Sequence, residues 1–313
     1  MRRYAKATSI GNAAFDALEN GDGEVRSVFE RTFNILLGGE LVGIARSDVT
    51  RSPINLVTDI ASGERMSSLG ILVGMPVSKT DDRLLIDEAL EISLKGAEIW
   101  RPKTRVGHST FEHLEKNLKI VEQFAAGKGG REGLGQLLSH IDEIAIGKKP
   151  SASSLNRVAG ATLLHLVNLF KAIKSSGIDE IKKISRNLVG LGPGLSPSAD
   201  DALMGLMVAL WWSTDSLGGD IEGVKKINEA VVSCADRTTL LSQQLLKHAA
   251  RGETNEAVEV LLNAIFMGEA EDVEAGAEKV LRIGETSGMD MMVGLLLGLR
   301  LGVGTIERLG FLK

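Results

Sequence analysis

The chain has 313 residues, 43% of them hydrophobic and 25% charged, a composition that suits a globular protein able to bury a core without disulfides or metals. A formal charge of −5 and a single tyrosine argue against a nucleic-acid partner. The one cysteine, Cys234, excludes an intramolecular disulfide and a cysteine-ligated zinc centre. A cytoplasmic protein is expected, with no membrane span and no secretory leader after Met1.

The first hundred residues read as β-rich. Residues 33–37 and 40–44 are apolar runs on either side of Gly38-Gly39, a two-residue hairpin signal. Residues 54–57, 71–73 and 92–100 are further strand candidates, the last with Gly96 as a bulge. Short strands in series predict an antiparallel sheet or small barrel. Past Arg101-Pro102 the period changes to that of helices. Helices are predicted over 111–126, 134–146, 158–173, 181–188, 197–212, 224–246, 255–266, 273–283 and 289–301. The expected fold class is therefore α+β: a β-rich domain over 1–105, then a larger, mostly helical domain over 106–313.

Two of the predicted helices echo one another. Residues 198–210 align without gaps on 287–299. Both begin Ser-x-x-Asp and reach Gly-Leu four residues after the Asp. Small residues at spacing four, Gly205 and Ala209 against Gly294, Gly298 and Gly302, lie along one face of each helix and would let two backbones approach closely. The expectation is that these helices pair and bring Asp201 and Asp290 to one place.

The stretch 190–201, Gly-Leu-Gly-Pro-Gly-Leu-Ser-Pro-Ser-Ala-Asp-Asp, runs straight into an apolar helix. Ser196 can cap that helix with Pro197 as its first residue, or Ser198 can cap it with Asp201 completing a capping box. Either way, N–H groups at the helix start and in the glycine loop make a candidate anion site at Gly192, Gly194, Ser196 and Ser198. The spacing fits neither a Walker A loop nor a dinucleotide fingerprint. Asp200, Asp201 and Asp290 are the candidate catalytic carboxylates. They would orient an amide or hydroxyl, or hold Mg²⁺ through oxygen atoms, but no His or Glu joins them at metal-ligand spacing, so no metal is assigned. Thr239, Ser242 and Gln243 share a helical face suited to a small polar ligand. No Gly-x-Ser-x-Gly elbow or histidine pair is present.

Residues 192–201 resemble a family long classed as a domain of unknown function, the one that includes AllH, a subunit of the oxamate carbamoyltransferase of bacterial allantoin breakdown. Its pattern is Gly-Pro-Gly-Leu-Thr-Pro-Ser-Gly-Asp-Asp. Here Ser196 stands for Thr, and Ala199 for the Gly before Asp200. Thr239 with Ser242, and the run Gly284 to Asp290 that holds Ser287 and Gly288, extend the resemblance. Residues 31–44 and Trp100-Arg101-Pro102 extend it more loosely. The resemblance implies a subunit working with two other proteins in the phosphorolysis of oxalurate to oxamate and carbamoyl phosphate. In that reading the glycine loop takes phosphate, the three aspartates position the amide nitrogen or a metal, and Thr239, Ser242, Ser287 and Gly288 contact the small carboxylate or anion. A non-catalytic anion-binding or assembly subunit, joined to other subunits or to its own copies, is the alternative. A nucleotide-dependent kinase would need a nucleotide site that the sequence does not display.

Overall fold

The computed structural model describes residues 2–130, 132–151 and 154–308. The chain divides into two units, Met1–Pro102 and Lys103–Lys313.

The first unit is an eight-strand mixed β-barrel over residues 3–100. Its elements are β1 (Arg3–Gly11), α1 (Asn12–Leu18), β2 (Gly23–Val28), β3 (Thr32–Leu37), β4 (Glu40–Ala45), β5 (Asn55–Thr58), β6 (Pro76–Thr80), β7 (Arg83–Ile86), β8 (Leu90–Ser93) and β9 (Glu98–Trp100). The order β5-β4-β3-β2-β6-β7-β8-β1 closes through a β1–β5 pairing, and β9 adds to β1 beside β8. The β3–β4 hairpin forms as the sequence predicts. Gly38 and Gly39 both take positive φ, 56° and 91°, as the mirror-image turn that joins twisted strands requires. Phe33, Ile35, Leu37, Val42 and Ile44 then alternate into the barrel core.

Three features of this unit depart from the sequence reading. The pairing is not purely antiparallel: β1 runs parallel to β8 and β9, and β4 runs parallel to β5. Residues 71–73 form no strand; Ile71 is in the core, but Leu72 and Val73 face solvent. Residues 92–100 are two strands with a turn at Gly96, not one bulged strand. β1 itself is irregular: its pairing with β5 slips register between Ala7 and Ser9, and on its other edge it pairs first with β8 and then with β9.

The second unit contains α2 (Phe111–Gly127), a 3₁₀ turn (Gly135–His140), α3 (Ile141–Ala145), α4 (Arg157–Lys174), α5 (Ile178–Leu188) and α6 (Ser198–Ser216). It continues with α7 (Ile221–Val232), a 3₁₀ turn (Ala235–Arg237), α8 (Leu240–Ala249), α9 (Glu256–Met267), α10 (Ala270–Leu281) and α11 (Ser287–Arg308). The helix predicted over 134–146 is a 3₁₀ turn followed directly by the short α3. The one predicted over 224–246 breaks in two, because Thr239 caps a new helix, accepting from Ser242 N at 3.2 Å. Cys234 lies buried in that break.

The same succession of elements occurs twice: a helix, a 3₁₀ turn with a short helix, and three more helices. The packing is reciprocal. α2 lies on α10 and α7 on α5; α3 lies on α11 and α8 on α6; α6 and α11 pack on each other. A cation also ties α11 to α2. Arg300 of α11 makes a two-pronged contact with Glu122 of α2, at 2.9 and 2.8 Å, and also reaches Glu115.

The α6–α11 contact confirms the internal echo. From Ser198 to Leu210 every residue of α6 is buried, as is every residue from Asp290 to Leu299 of α11, so both are core helices. A Cβ at Gly205 would overlap the Met291 carbonyl oxygen, and one at Gly294 would overlap that of Ala202. In the alignment of the two segments, Gly205 matches Gly294 and Ala202 matches Met291, so each contact is the image of the other. Farther along, Gly298 lies against Leu206 and Gly302 against Ser213. The helices therefore run parallel, related by a pseudo-twofold, with their N-termini at the same end.

Candidate functional site

At the N-terminal end of this helix pair, the backbone N–H groups and acids singled out in the sequence come together. Gly190, Gly192 and Gly194 all have positive φ, and a side chain at Gly192 would collide with Ser198 N, 2.7 Å from its Cβ. The loop turns sharply and presents Pro193, Gly194 and Leu195 at the surface. Among the described residues, no group accepts from the N–H groups of Gly192, Gly194, Leu195, Ser196 or Ser198, whereas Ala199 N is taken by Leu191 O at 3.0 Å. Together with the positive end of α6, these free donors are suited to an anion.

Neither predicted cap forms. Pro197 is the N-cap residue and Ser198 the first of the helix, with no side-chain cap. The reason is that both serines are drawn to carboxylates. Ser196 Oγ donates to Asp201 Oδ1, and Ser198 faces Asp290 of the other helix. Ser287, at the start of α11, faces Asp201 in return. The two Ser-x-x-Asp segments thus cross, each serine turned to the aspartate of its partner helix.

The three aspartates have different surroundings. Asp200 is fully buried and both its oxygens are occupied, Oδ1 by Gly190 N at 2.8 Å and Oδ2 by the Thr238 hydroxyl. It fixes the entry of the glycine loop to the segment before α8. Asp201 has Ser196 on Oδ1, and among the described residues its Oδ2 has no group at hydrogen-bonding geometry, although the Ser287 hydroxyl lies near the carboxyl. Asp290 accepts from Leu134 N at 2.5 Å through Oδ1, and its Oδ2 is also without a partner among the described residues. Burial raises the pKa of all three carboxyls, that of Asp201 well above the usual range, where the charges of Asp290 and Asp200 raise it further.

The remaining predicted residues serve mainly as supports. Thr239 Oγ donates to Leu195 O at 2.5 Å, tethering the exposed loop to the cap of α8. Ser242 is buried facing Asp200. Gln243 donates to Thr238 O at 2.9 Å. Gly288 N bonds Ile283 O at 2.9 Å, and a Cβ there would overlap Val280 O, so the structure gives this glycine a packing role. Sequence reasoning missed Thr238 and the Gly133-Leu134 turn, in which a Cβ at Gly133 would strike the Asp290 carboxylate. Gly133 and Gly135, on either side of Leu134, were the local signal of that turn. Thr239→Val should lose both the cap and the tether. A cost of about 1 kcal/mol in urea unfolding is expected, with faster proteolysis near Leu195. Wild-type values for both would show that the loop does not depend on Thr239.

A cavity of about 420 Å³ opens at the start of α11 between Lys128, Glu132, Arg282, Glu285, Thr286 and Met289. Its cations are paired: Lys128 and Arg282 both reach Glu278, at 3.5 and 3.3 Å. Among the described residues, no three of His, Cys, Asp and Glu converge as a metal-binding group. No helix among them is long and apolar enough to cross a membrane.

The model of the family described as oxamate carbamoyltransferase subunit AllH matches residues 188–299, from the end of α5 through both aspartate-bearing helix starts. The model of the AllH family N-terminal domain matches residues 6–99, the barrel. The chain belongs to the AllH family. The match to residues 188–299 holds both Ser-x-x-Asp segments together with Thr238, Thr239 and Ser242. No solved structure matches the chain.

Proposed function

We propose that this AllH-family chain is a subunit of a carbamoyltransferase and that the loop over residues 190–198 binds the phosphate, or the phosphoryl end of carbamoyl phosphate. The observation that carries the reading is the set of unpartnered N–H groups at Gly192, Gly194, Leu195, Ser196 and Ser198, joined at one helix start to buried carboxylates. The family name supplies the reaction class: carbamoyl transfer with oxamate as product or acceptor. In the direction of breakdown, a phosphate oxygen attacks the carbamoyl carbon of oxalurate. The bond from that carbon to the inner nitrogen breaks, and the proton of hydrogen phosphate passes to the leaving nitrogen, giving carbamoyl phosphate and oxamate. Negative charge develops on the carbamoyl oxygen during attack, and fixed N–H donors lower that barrier. Asp201 and Asp290 form the acidic wall of the site, while Asp200, Thr238 and Thr239 hold the loop in shape. The word subunit in the family name points to other protein chains as partners.

The test uses the purified chain and the complex rebuilt with its partner subunits. Phosphate or carbamoyl phosphate at about a hundred times its Kd should stabilise the chain by about 2.7 kcal/mol. Gly194→Val, which strains a residue at φ 92° whose side chain would meet only open space, should remove that shift. It should also slow oxalurate phosphorolysis by the complex on the order of a hundredfold. Wild-type turnover with Gly194→Val would remove the loop from the reaction.

A further inference from the structure

We propose that Asp201 and Asp290 together hold one divalent cation of the Mg²⁺ class between the first turns of α6 and α11. The inference stands on their geometry and does not require the transferase reading. Each carboxylate uses Oδ1 internally, for Ser196 and for Leu134 N, and among the described residues no group stands at hydrogen-bonding geometry to its Oδ2. Asp201 is 2% exposed and Asp290 0%, so water does not supply the missing contact from outside. A buried carboxylate oxygen with no donor is costly, and the charge of Asp290 acts on Asp201 from the neighbouring helix start as well. A proton on one Oδ2 would turn it into a donor and answer only half of the charge. A divalent cation matches both charges and both oxygens at once. The hydroxyls that act on these carboxylates, Ser287 on Asp201 and Ser198 and Thr286 on Asp290, are neutral oxygen atoms available beside them.

The donor set selects the ion. It holds oxygen and no nitrogen or sulfur, which suits Mg²⁺, Mn²⁺ or Ca²⁺ and not zinc. Two carboxylates are few for a cage made of protein alone. Magnesium is commonly held by one or two carboxylates together with water and substrate phosphate. The unpartnered N–H groups of the glycine loop lead into the same first turn of α6, so the ligand class that completes such an ion is a phosphate oxygen. Asp200 is outside the proposal because both its oxygens are already bonded.

The test uses the full chain, stripped with a chelator, with Mn²⁺ as the probe at pH 8. Binding is read by electron paramagnetic resonance and calorimetry, with Mg²⁺ as competitor. One Mn²⁺ per chain, displaced by Mg²⁺, is expected. Asp290→Asn and Asp201→Asn should each weaken it by more than about tenfold, the scale on which even outer partners of a metal act. Circular dichroism checks that they fold, and Ser287→Ala, which leaves both carboxylates in place, should weaken binding less. Absence of Mn²⁺ binding by the wild-type chain would overturn the proposal, as would equal affinity in the aspartate variants. So would an infrared band of a protonated carboxyl in the wild type at pH 8 that persists in saturating Mg²⁺ and disappears in Asp290→Asn, since the pair would then be holding a proton in place of the ion. None of these readouts depends on turnover, so an inactive complex leaves the result interpretable.

Discussion

Gly294→Val is expected to unfold the helical unit, or to destabilise it by upwards of about 3 kcal/mol, the upper range for forcing bulk into a packed core. The position has no slack. A Cβ at Gly294 already overlaps the carbonyl oxygen of Ala202, a backbone atom in the middle of a buried helix that cannot turn aside as a side chain would. Relief requires α6 and α11 to separate, and every contact from Ala202 to Ser213 would separate with them. The pseudo-twofold makes the prediction stricter. Gly205→Val, the image of the first change, meets the Met291 carbonyl and should cost a similar amount. Gly194→Ala is the contrast, since its Cβ would point into open space and only the left-handed backbone opposes it, at about 1–2 kcal/mol. Urea unfolding followed by circular dichroism measures all three. A wild-type midpoint for Gly294→Val would mean that the two helices do not pack through these residues.

That contact was legible in the sequence for a physical reason. Close backbone approach needs small residues at regular spacing, and two parallel helices sharing one environment need them in the same register, so Gly205-Leu206 and Gly294-Leu295 repeat. The Gly38-Gly39 hairpin was legible because a turn with positive φ at both residues is nearly a glycine signature. Elements with less to bury were silent. β2 buries only Val25, and β1 has exposed polar residues along its first half, so neither shows a clear alternation. The parallel pairings of the barrel are set by which strands meet in space, a long-range property without local signal. The site divides the same way. The aspartates and serines stood out as polar residues at the mouths of apolar helices. Their assignment as capping boxes failed because the competing partners, Ser287 for Asp201 and Ser198 for Asp290, lie on another helix. Leu134, whose N–H holds Asp290, contributes only backbone, and no residue type marks such a donor.

The crossed arrangement also explains why three aspartates of similar burial do different work. Asp200 is balanced locally, by one N–H and one hydroxyl, and behaves as a structural pin. Asp201 and its pseudo-equivalent Asp290 each have one oxygen bonded and one without a partner among the described residues, and each sits in the first turn of one of the two paired helices. A duplicated fold thus concentrates its electrostatic imbalance at the end of the helix pair where the exposed loop begins.

That imbalance should appear in the pH dependence of stability. Burial, and then the charges of Asp290 and Asp200, hold the Asp201 carboxyl well above its ordinary value. The native state therefore keeps a proton that the unfolded chain has released, and stability falls with rising pH wherever the folded chain binds more protons. For Asp201 the contribution is complete below the unfolded value near 3.9 and is lost as pH rises through the folded one. Asp200 and Asp290, also raised by burial, act with the same sign. Glu253 acts oppositely: burial pushes it up, but His248 and Arg251 outweigh that and hold it low, so its contribution is lost as pH falls. Asp201→Asn isolates the first effect, because its amide oxygen can still accept from Ser196 while no charge is buried. In chelator, the wild-type chain should lose more stability than Asp201→Asn between pH 5 and 8, by about 1–3 kcal/mol, the range for a buried polar group left unpaired. Added Mg²⁺ should restore the wild type at pH 8 and leave the variant unchanged. Parallel stability curves for the two proteins would show that Asp201 titrates alike folded and unfolded, and that neither burial nor its neighbour governs it.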